Sequence, residues 1–363
     1  MKLNKYLFFG LFAYILIFSS FIFLLNSSDS ESYIFYGMTS GSDDYKYFLE
    51  SVSALRSNFQ SFEDILDYVK VYSGHAVAYP LILYSAFYIF GENVNVALIL
   101  NAVVLYFCFV LLYKYIGNIE KLKDSLFLLI LILTPGVYYV ALHMYKDTFL
   151  FFVTLISIFF IEKGRMAFGV WFAMISHFLR PYNFLIIILL KIIKKYPLLM
   201  ALMFFLGIFL VFNNSYLNDK VLSSIEDLNK IALDDLQSYG SSYTPSGIIL
   251  LDYFIGLIRF FFLPFPFRIN WDYNERPLIL LFLEFYQSIL NYIAFIFVLL
   301  RFDIFLKTIK KYYLLFCYTF FQASVYSVIF FGNSQPRYRV YLFSCVTIFL
   351  LEVLGAYLNR KKY

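Results

Sequence analysis

Residues 6–26 read YLFFGLFAYILIFSSFIFLLN, a run without a single charged side chain. At ~1.5 Å of rise per residue, a helix of this length covers the roughly 30 Å hydrocarbon core of a bilayer. A secretory signal would share the basic start that Lys2 and Lys5 provide, but the apolar part is too long and no small-x-small cleavage site follows it. The run therefore reads as a spanning anchor. Further apolar runs occupy 76–90, 94–113, 125–142, 148–161, 166–178, 182–193, 197–212, 248–263, 278–300, 312–331 and 338–358. With 62% hydrophobic and only 15% charged residues, the chain has too little polar surface for a water-soluble fold and reads as an integral membrane protein.

The charged residues say how the runs are threaded. Lysine and arginine collect in short cytoplasmic loops, so Lys2 and Lys5 are placed inside and each span flips the side. Lys114, Lys121 and Lys123, then Lys163 and Arg165, then Lys191, Lys194 and Lys195 all fall inside if 76–90 does not cross. The same reasoning makes 248–276, with its FLPFPFRINWDYNER, re-entrant or interfacial, because a full crossing there puts Arg301, Lys307, Lys310 and Lys311 outside. Both dipping runs are also shorter than the ~20 residues of a straight crossing. The expected fold class is thus all-α integral membrane, with about ten transmembrane helices plus two re-entrant or interfacial segments. It forms a single polytopic domain over 1–363 whose acidic outer loops are 27–75 and 213–247. No internal repeat is visible, which argues against a transporter built from inverted halves.

The net charge of +5 sits in inter-span loops rather than along one face, so membrane orientation explains it and nucleic acid is not an expected partner. Cys108, Cys317 and Cys345 lie inside apolar runs without metal-type spacing and read as packing residues. His75, His143 and His177 share no ligand spacing either, so no metal ligands are assigned, while a divalent metal stays open. The 34 tyrosines and 47 phenylalanines read first as span filling and interface belts, and only second as a sugar-stacking platform.

The threading leaves unusual polar residues on the outer side. Asp43, Asp44 and His75 lie in the first outer loop, and His143, Lys146 and Asp147 in the turn HMYKD. His177 and Arg180 lie in SHFLRPY, and Gln335, Arg337 and Arg339 in GNSQPRYRVY. Lys146, Arg180, Arg337 and Arg339 stand where the positive-inside bias puts few cations. A charge near the bilayer core pairs, snorkels or faces a polar cavity, and Lys146 with Asp147 is the obvious local pair. Cations gathered opposite a carboxylate pair suit chemistry in which a phosphate leaving group is held while a base activates an acceptor hydroxyl.

Asp-Asp-x-x-Tyr after the first span, here Asp43, Asp44 and Tyr47, resembles the first-loop motif of GT-C class membrane glycosyltransferases. That group includes protein O-mannosyltransferases and bacterial lipid A aminoarabinose transferases. HAVAYPLILYSAFYIFGENVNVALILNAVVLYF, TPGVYYVALHMYKDTFLFF, HFLRPYNFLIII and PRYRVYLFSCV are similar, in order, to later segments of such enzymes. The usual second-position Glu is Asp44 here, and a soluble carboxy-terminal domain is missing from the pattern. The resemblance implies a polyprenyl-phosphate-linked sugar as donor and a glycan, lipid or protein as acceptor. It places the protein in the bacterial inner membrane, multi-pass, with its active site on the outer face. It also implies Asp43 as general base with Asp44 beside it, and Lys146, Arg180, Arg337 and Arg339 on the lipid phosphate. His75 and Tyr47 join them as candidate substrate-binding residues. A polysaccharide repeat-unit polymerase is the alternative expectation, favoured less because it needs no acidic pair after the first span. A lipid-linked glycan transporter ranks below both, since the spans carry little internal charge beyond Asp252 and Glu284.

Overall fold

The computed structural model describes residues 5–26, 43–57, 61–73, 77–117, 119, 122, 125–180, 183–196, 249–263, 277–329 and 336–360. Among them every regular element is a helix. In chain order these are α1 (Lys5–Asn26), α2 (Asp43–Arg56), α3 (Phe62–Ser73), α4 (Ala78–Phe90), α5 (Val94–Ile116), α6 (Leu126–Leu133), α7 (Pro135–Ala141) and α8 (Asp147–Glu162). They continue with α9 (Met166–His177), α10 (Asn183–Lys195), α11 (Ile249–Phe262), α12 (Leu278–Leu300), α13 (Phe302–Lys311) and α14 (Tyr313–Ile329). A 3-10 turn (Pro336–Arg339) leads into α15 (Val340–Arg360). Among the described residues, α1, α5, α12 and the helix from Arg337 to Leu358 are long and apolar enough to cross a membrane. Their outward faces carry Phe8, Phe23, Ile99, Phe107, Leu299 and Leu300, all exposed, an apolar surface that only a hydrocarbon environment accommodates.

The run 125–142, expected as one span, is two stacked helices broken at Thr134. Pro135 has no N–H and disfavours helical geometry in the residue before it, and Thr134 accordingly sits at φ −123°, ψ 47°. In a bilayer the backbone groups freed by such a break need partners from the protein. Gly136 N–H donates to Gln287 Oε1 of α12 at 2.9 Å, and the Thr347 hydroxyl of α15 donates to the Leu133 carbonyl at 2.6 Å. Thr134 closes the break by donating from Oγ1 to the Ile130 carbonyl at 2.6 Å. The break thus docks α6 and α7 onto α12 and α15.

Polar contacts fix the two ends of the bundle. At one end the Tyr312 hydroxyl donates to the Ile116 carbonyl and to Glu352, while Glu162 accepts from Leu314 N–H at the start of α14. The ends of α5, α8 and α15 therefore meet the beginning of α14. Lys114, Lys163, Arg165, Lys310 and Lys311 border this end, and α13 lies along it with Ile304 and Thr308 buried and Asp303 and Lys307 turned outward. Such an amphipathic helix suits a position in the plane of an interface.

The opposite end is reached by following α8 from Glu162 back to Asp147, ~22 Å along its axis. Ala78 N–H of α4 donates there to the Phe178 carbonyl beyond α9. Across the middle, side chains tie five helices together. Asn183 Nδ2 donates to Thr154 Oγ1 and Ser176 Oγ, the Tyr318 hydroxyl donates to Asn183 Oδ1, and the Tyr341 hydroxyl donates to Thr154 Oγ1. Interhelical hydrogen bonds of this kind hold helices together where burial against lipid gives no drive. Cys108 and Cys345 are buried and Cys317 half-buried, each as a free thiol.

Candidate functional site

The HMYKD turn joins α7 to α8, and its residues reach α2, α5 and the segments that carry Arg180 and Arg337. The His143 carbonyl accepts from Asn101 Nδ2 of α5 at 2.6 Å, and its Nδ1 donates to the Tyr139 carbonyl at 2.8 Å. The His143 ring is stacked on Tyr145, 4.7 Å apart and 5° from parallel. Tyr145 lies under the Arg337 guanidinium at 5.2 Å. Lys146 Nζ stands 5.8 Å from the centre of the Tyr47 ring of α2. Asp147 opens α8 and accepts from Nη2 of Arg180 at 2.7 Å.

This last contact corrects one expectation. The Asp147 carboxylate is engaged across the bundle by Arg180 rather than only beside Lys146 in sequence. The reason is burial: Asp147 is 5% exposed, and a desolvated carboxylate is best served by a planar fork with several donors. Nη1 of Arg180 donates to the Tyr326 hydroxyl of α14 at 2.7 Å, and its guanidinium carbon lies 6.0 Å from the Tyr338 ring. Tyr326 and Tyr338 stack at 4.2 Å, and Arg337 covers Tyr338 at 4.7 Å while donating to its hydroxyl.

Rings and guanidinium groups therefore form one continuous column: Tyr139, His143, Tyr145, Arg337, Tyr338, Tyr326, then Phe260 of α11 at 6.3 Å. Beneath Phe260 lies Arg339, its guanidinium 5.5 Å from the ring centre and only 1% of the residue exposed. Arg339 donates to the Arg259 carbonyl at 3.2 Å and feels the charge of Glu284, the acidic residue inside α12. The approach of α11 depends on Gly256, where an added Cβ would lie 2.6 Å from the Ser327 carbonyl oxygen.

Of the residues singled out in the sequence, Lys146, Arg180, Arg337 and Arg339 thus lie at one end of the bundle, with Tyr47 buried beside Lys146. Tyr47 also packs edge-on against Tyr79 at 5.2 Å. Asp43 and Asp44 are the first two residues of α2, about one helical turn before Tyr47 or ~6 Å along the axis. Their side chains, and all of His75, lie outside the described residues, as do Gln335 and the loop 213–247. Among the described residues no group of His, Cys, Asp and Glu is placed to hold a metal ion.

The tyrosines of the column were missed as individuals. Tyr145 and Tyr338 had a local signal, since each adjoins a cation in HMYKD and PRYRVY. Tyr326 had none, because its partner Arg180 is 146 residues away in sequence. Part of the aromatic excess assigned to span filling is therefore a cradle for guanidinium groups, which stack well on aromatic faces. Chemically, the end offers a half-buried cluster of cations with aromatic walls, suited to an anion attached to a flat or apolar body. Comparison with protein-family models, with curated proteins and with solved structures finds no match to this chain.

Proposed function

We propose that the chain is a membrane glycosyltransferase of GT-C-like architecture, with about ten spans and two membrane-dipping segments. In this reading it transfers a sugar from a polyprenyl phosphate donor to a glycan, lipid or protein acceptor on the outer face of a bacterial inner membrane, in the synthesis of cell-envelope glycans or glycoconjugates. The observation that carries the reading is the convergence at the HMYKD turn. Three segments expected on the outer side bring Lys146, Arg180 and Arg337 together beside the helix that begins with Asp43 and Asp44.

In this mechanism Arg337 and Lys146 contact the phosphate as it leaves. Arg180 adds its remaining N–H donors to the same anion, and Arg339, enclosed in the protein, holds the column that presents Arg337. Stabilising charge on a departing phosphate is the work of fixed, poorly hydrated cations, and Asp43 takes the proton of the acceptor hydroxyl. Arg337→Ala should lower transfer from a polyprenyl phosphate sugar in membranes, and Arg337→Lys should restore only part of it because an ammonium lacks the planar fork. If Arg337→Ala transfers at the wild-type rate at matched expression, the cation cluster is not a phosphate site.

A repeat-unit polymerase is the second reading. Arg180 and Arg337 lie 6.0 and 4.7 Å from the centre of the same Tyr338 ring, two cations that the two phosphates of a pyrophosphate would engage together. Transfer from a pyrophosphate-linked oligosaccharide, and none from a monophosphate sugar, favours the polymerase.

A further inference from the structure

Arg180 already holds an anion. Its Nη2 meets Asp147 at 2.7 Å and its Nη1 meets Tyr326 at 2.7 Å, and Tyr326 connects through Tyr338 to Arg337. We infer that Asp147 is a resident counter-ion of the anion site, a positioning residue that competes with the ligand for Arg180 and so sets how tightly the site holds phosphate. The inference rests on the reading of this end as a phosphate-ester site and adds a regulating residue to it.

A guanidinium has five N–H donors, so the Arg180 fork can aim at Asp147 and Tyr326 and still present donors to a ligand. The Asp147 carboxylate, in direct contact, offsets most of the field that Arg180 would otherwise project among the Tyr338 and Arg337 groups, and it does so in a poorly hydrated setting where charges interact strongly. A transferase must also release its phosphate product. A cluster of bare cations would bind product tightly, and an internal carboxylate weakens that hold while keeping Arg180 aimed. If the ion pair were only a structural clamp, losing either partner would loosen the site and weaken anion binding. The counter-ion role predicts opposite signs for the two.

The test is calorimetric binding of inorganic pyrophosphate to the full chain in lipid nanodiscs, at constant ionic strength. Asp147→Asn is expected to tighten binding about tenfold and Arg180→Ala to weaken it about tenfold, in line with charge-assisted hydrogen bonds gained and lost. Asp147→Asn with Arg180→Ala should match Arg180→Ala alone, because the gain acts through Arg180. Asp147→Glu should return the wild-type affinity. Asp147→Ser, also neutral, should tighten like Asp147→Asn and serves if the latter does not elute as folded protein. Weaker or unchanged binding in the neutral variants overturns the inference, and so does an absence of pyrophosphate binding in wild type and neutral variants alike. Sugar transfer is assayed separately. A chain that shows the opposite-sign pattern but transfers no sugar overturns the transferase reading and leaves the counter-ion role standing.

Discussion

The two ends of this bundle use cations differently. At the lysine-rich end, Lys311 is half exposed and meets Glu352 at 2.7 Å, and Arg301 reaches the exposed Asp303 at 3.3 Å. In each pair one partner, Lys311 or Asp303, stays at least half exposed, and ion pairs open to water in this way are worth little individually. At the other end Arg180 pairs with a carboxylate that is 6% exposed by side chain, Arg337 is stacked between two tyrosines, and Arg339 is enclosed. The first arrangement is what orienting a chain in a membrane needs, since the positive-inside bias acts on loops. The second costs desolvation and repays it with rings and a paired carboxylate. Cations placed at that cost mark the end where chemistry is to be sought.

The sharpest way to break this contrast is to remove the proposed base. Asp43→Asn keeps the size of the side chain and removes the basic carboxylate, and loss of general-base catalysis typically lowers rates ~10²- to 10⁴-fold. The measurement is transfer from a polyprenyl phosphate sugar in membranes, with protein quantified by blot. Asp44→Asn should cost less. An Asp43→Asn protein that retains more than about a tenth of the wild-type rate moves the base elsewhere.

Next in size is the ion pair itself. Arg180→Met leaves Asp147 buried without its guanidinium, and breaking a buried pair from one side costs about 3 kcal/mol at the low end of measured values. Thermal unfolding in detergent should show the loss clearly, while Lys311→Met at the opposite end should not. Equal losses at both ends would erase the distinction drawn between them.

How much of this was visible in the sequence depends on range. Helical class and membrane character follow from long apolar runs such as 6–26 and 278–300. Counting spans against the lysine loops leads to the expectation that Lys146, Arg180, Arg337 and Arg339 share one side, and what brings Arg180 and Arg337 to one ring is their contact with Tyr338. The break at Thr134 has a local signal in Pro135, but hydropathy does not register a missing N–H, so the run reads as one span. The partners that make the break tolerable, Gln287 and Thr347, lie far along the chain and could not be read locally. The same holds for Arg180 with Tyr326: one lies just beyond α9 and the other on α14, and only packing of the helices joins them.

The helix break gives a third prediction. Gln287→Leu keeps the volume but removes the acceptor for Gly136 N–H, leaving a buried donor unsatisfied at a cost of ~1–3 kcal/mol. Because Gly136 lies in the helix that leads into HMYKD, activity should fall together with stability, and less steeply than in Arg180→Met. A Gln287→Leu protein as stable as wild type means that the broken helix finds another partner.

The smallest expected effect lies at the lysine-rich end and separates a charge from the group it touches. Lys311 is half exposed, so Lys311→Ala should change stability by less than ~1 kcal/mol. Glu352, by contrast, also accepts from the Tyr312 hydroxyl at 2.9 Å, and that hydroxyl reaches the Ile116 carbonyl that ends α5. Glu352→Gln keeps an acceptor for Tyr312 but loses the charge that Lys311 meets, so it should resemble Lys311→Ala. Glu352→Leu removes the acceptor as well, leaving the single Tyr312 hydroxyl proton to the Ile116 carbonyl, and should cost roughly 1 kcal/mol more than Lys311→Ala, the net worth of one hydrogen bond. Thermal unfolding of the three variants orders them, and transfer activity should stay at the wild-type level for Lys311→Ala and Glu352→Gln. The ordering places the stabilising contribution at this end on the tyrosine hydroxyl that ties three helices together, and the lysine outside it then serves orientation. If Lys311→Ala proves as costly as Glu352→Leu, this cation contributes to packing as much as those beside Tyr338 do, and the two ends differ in degree only.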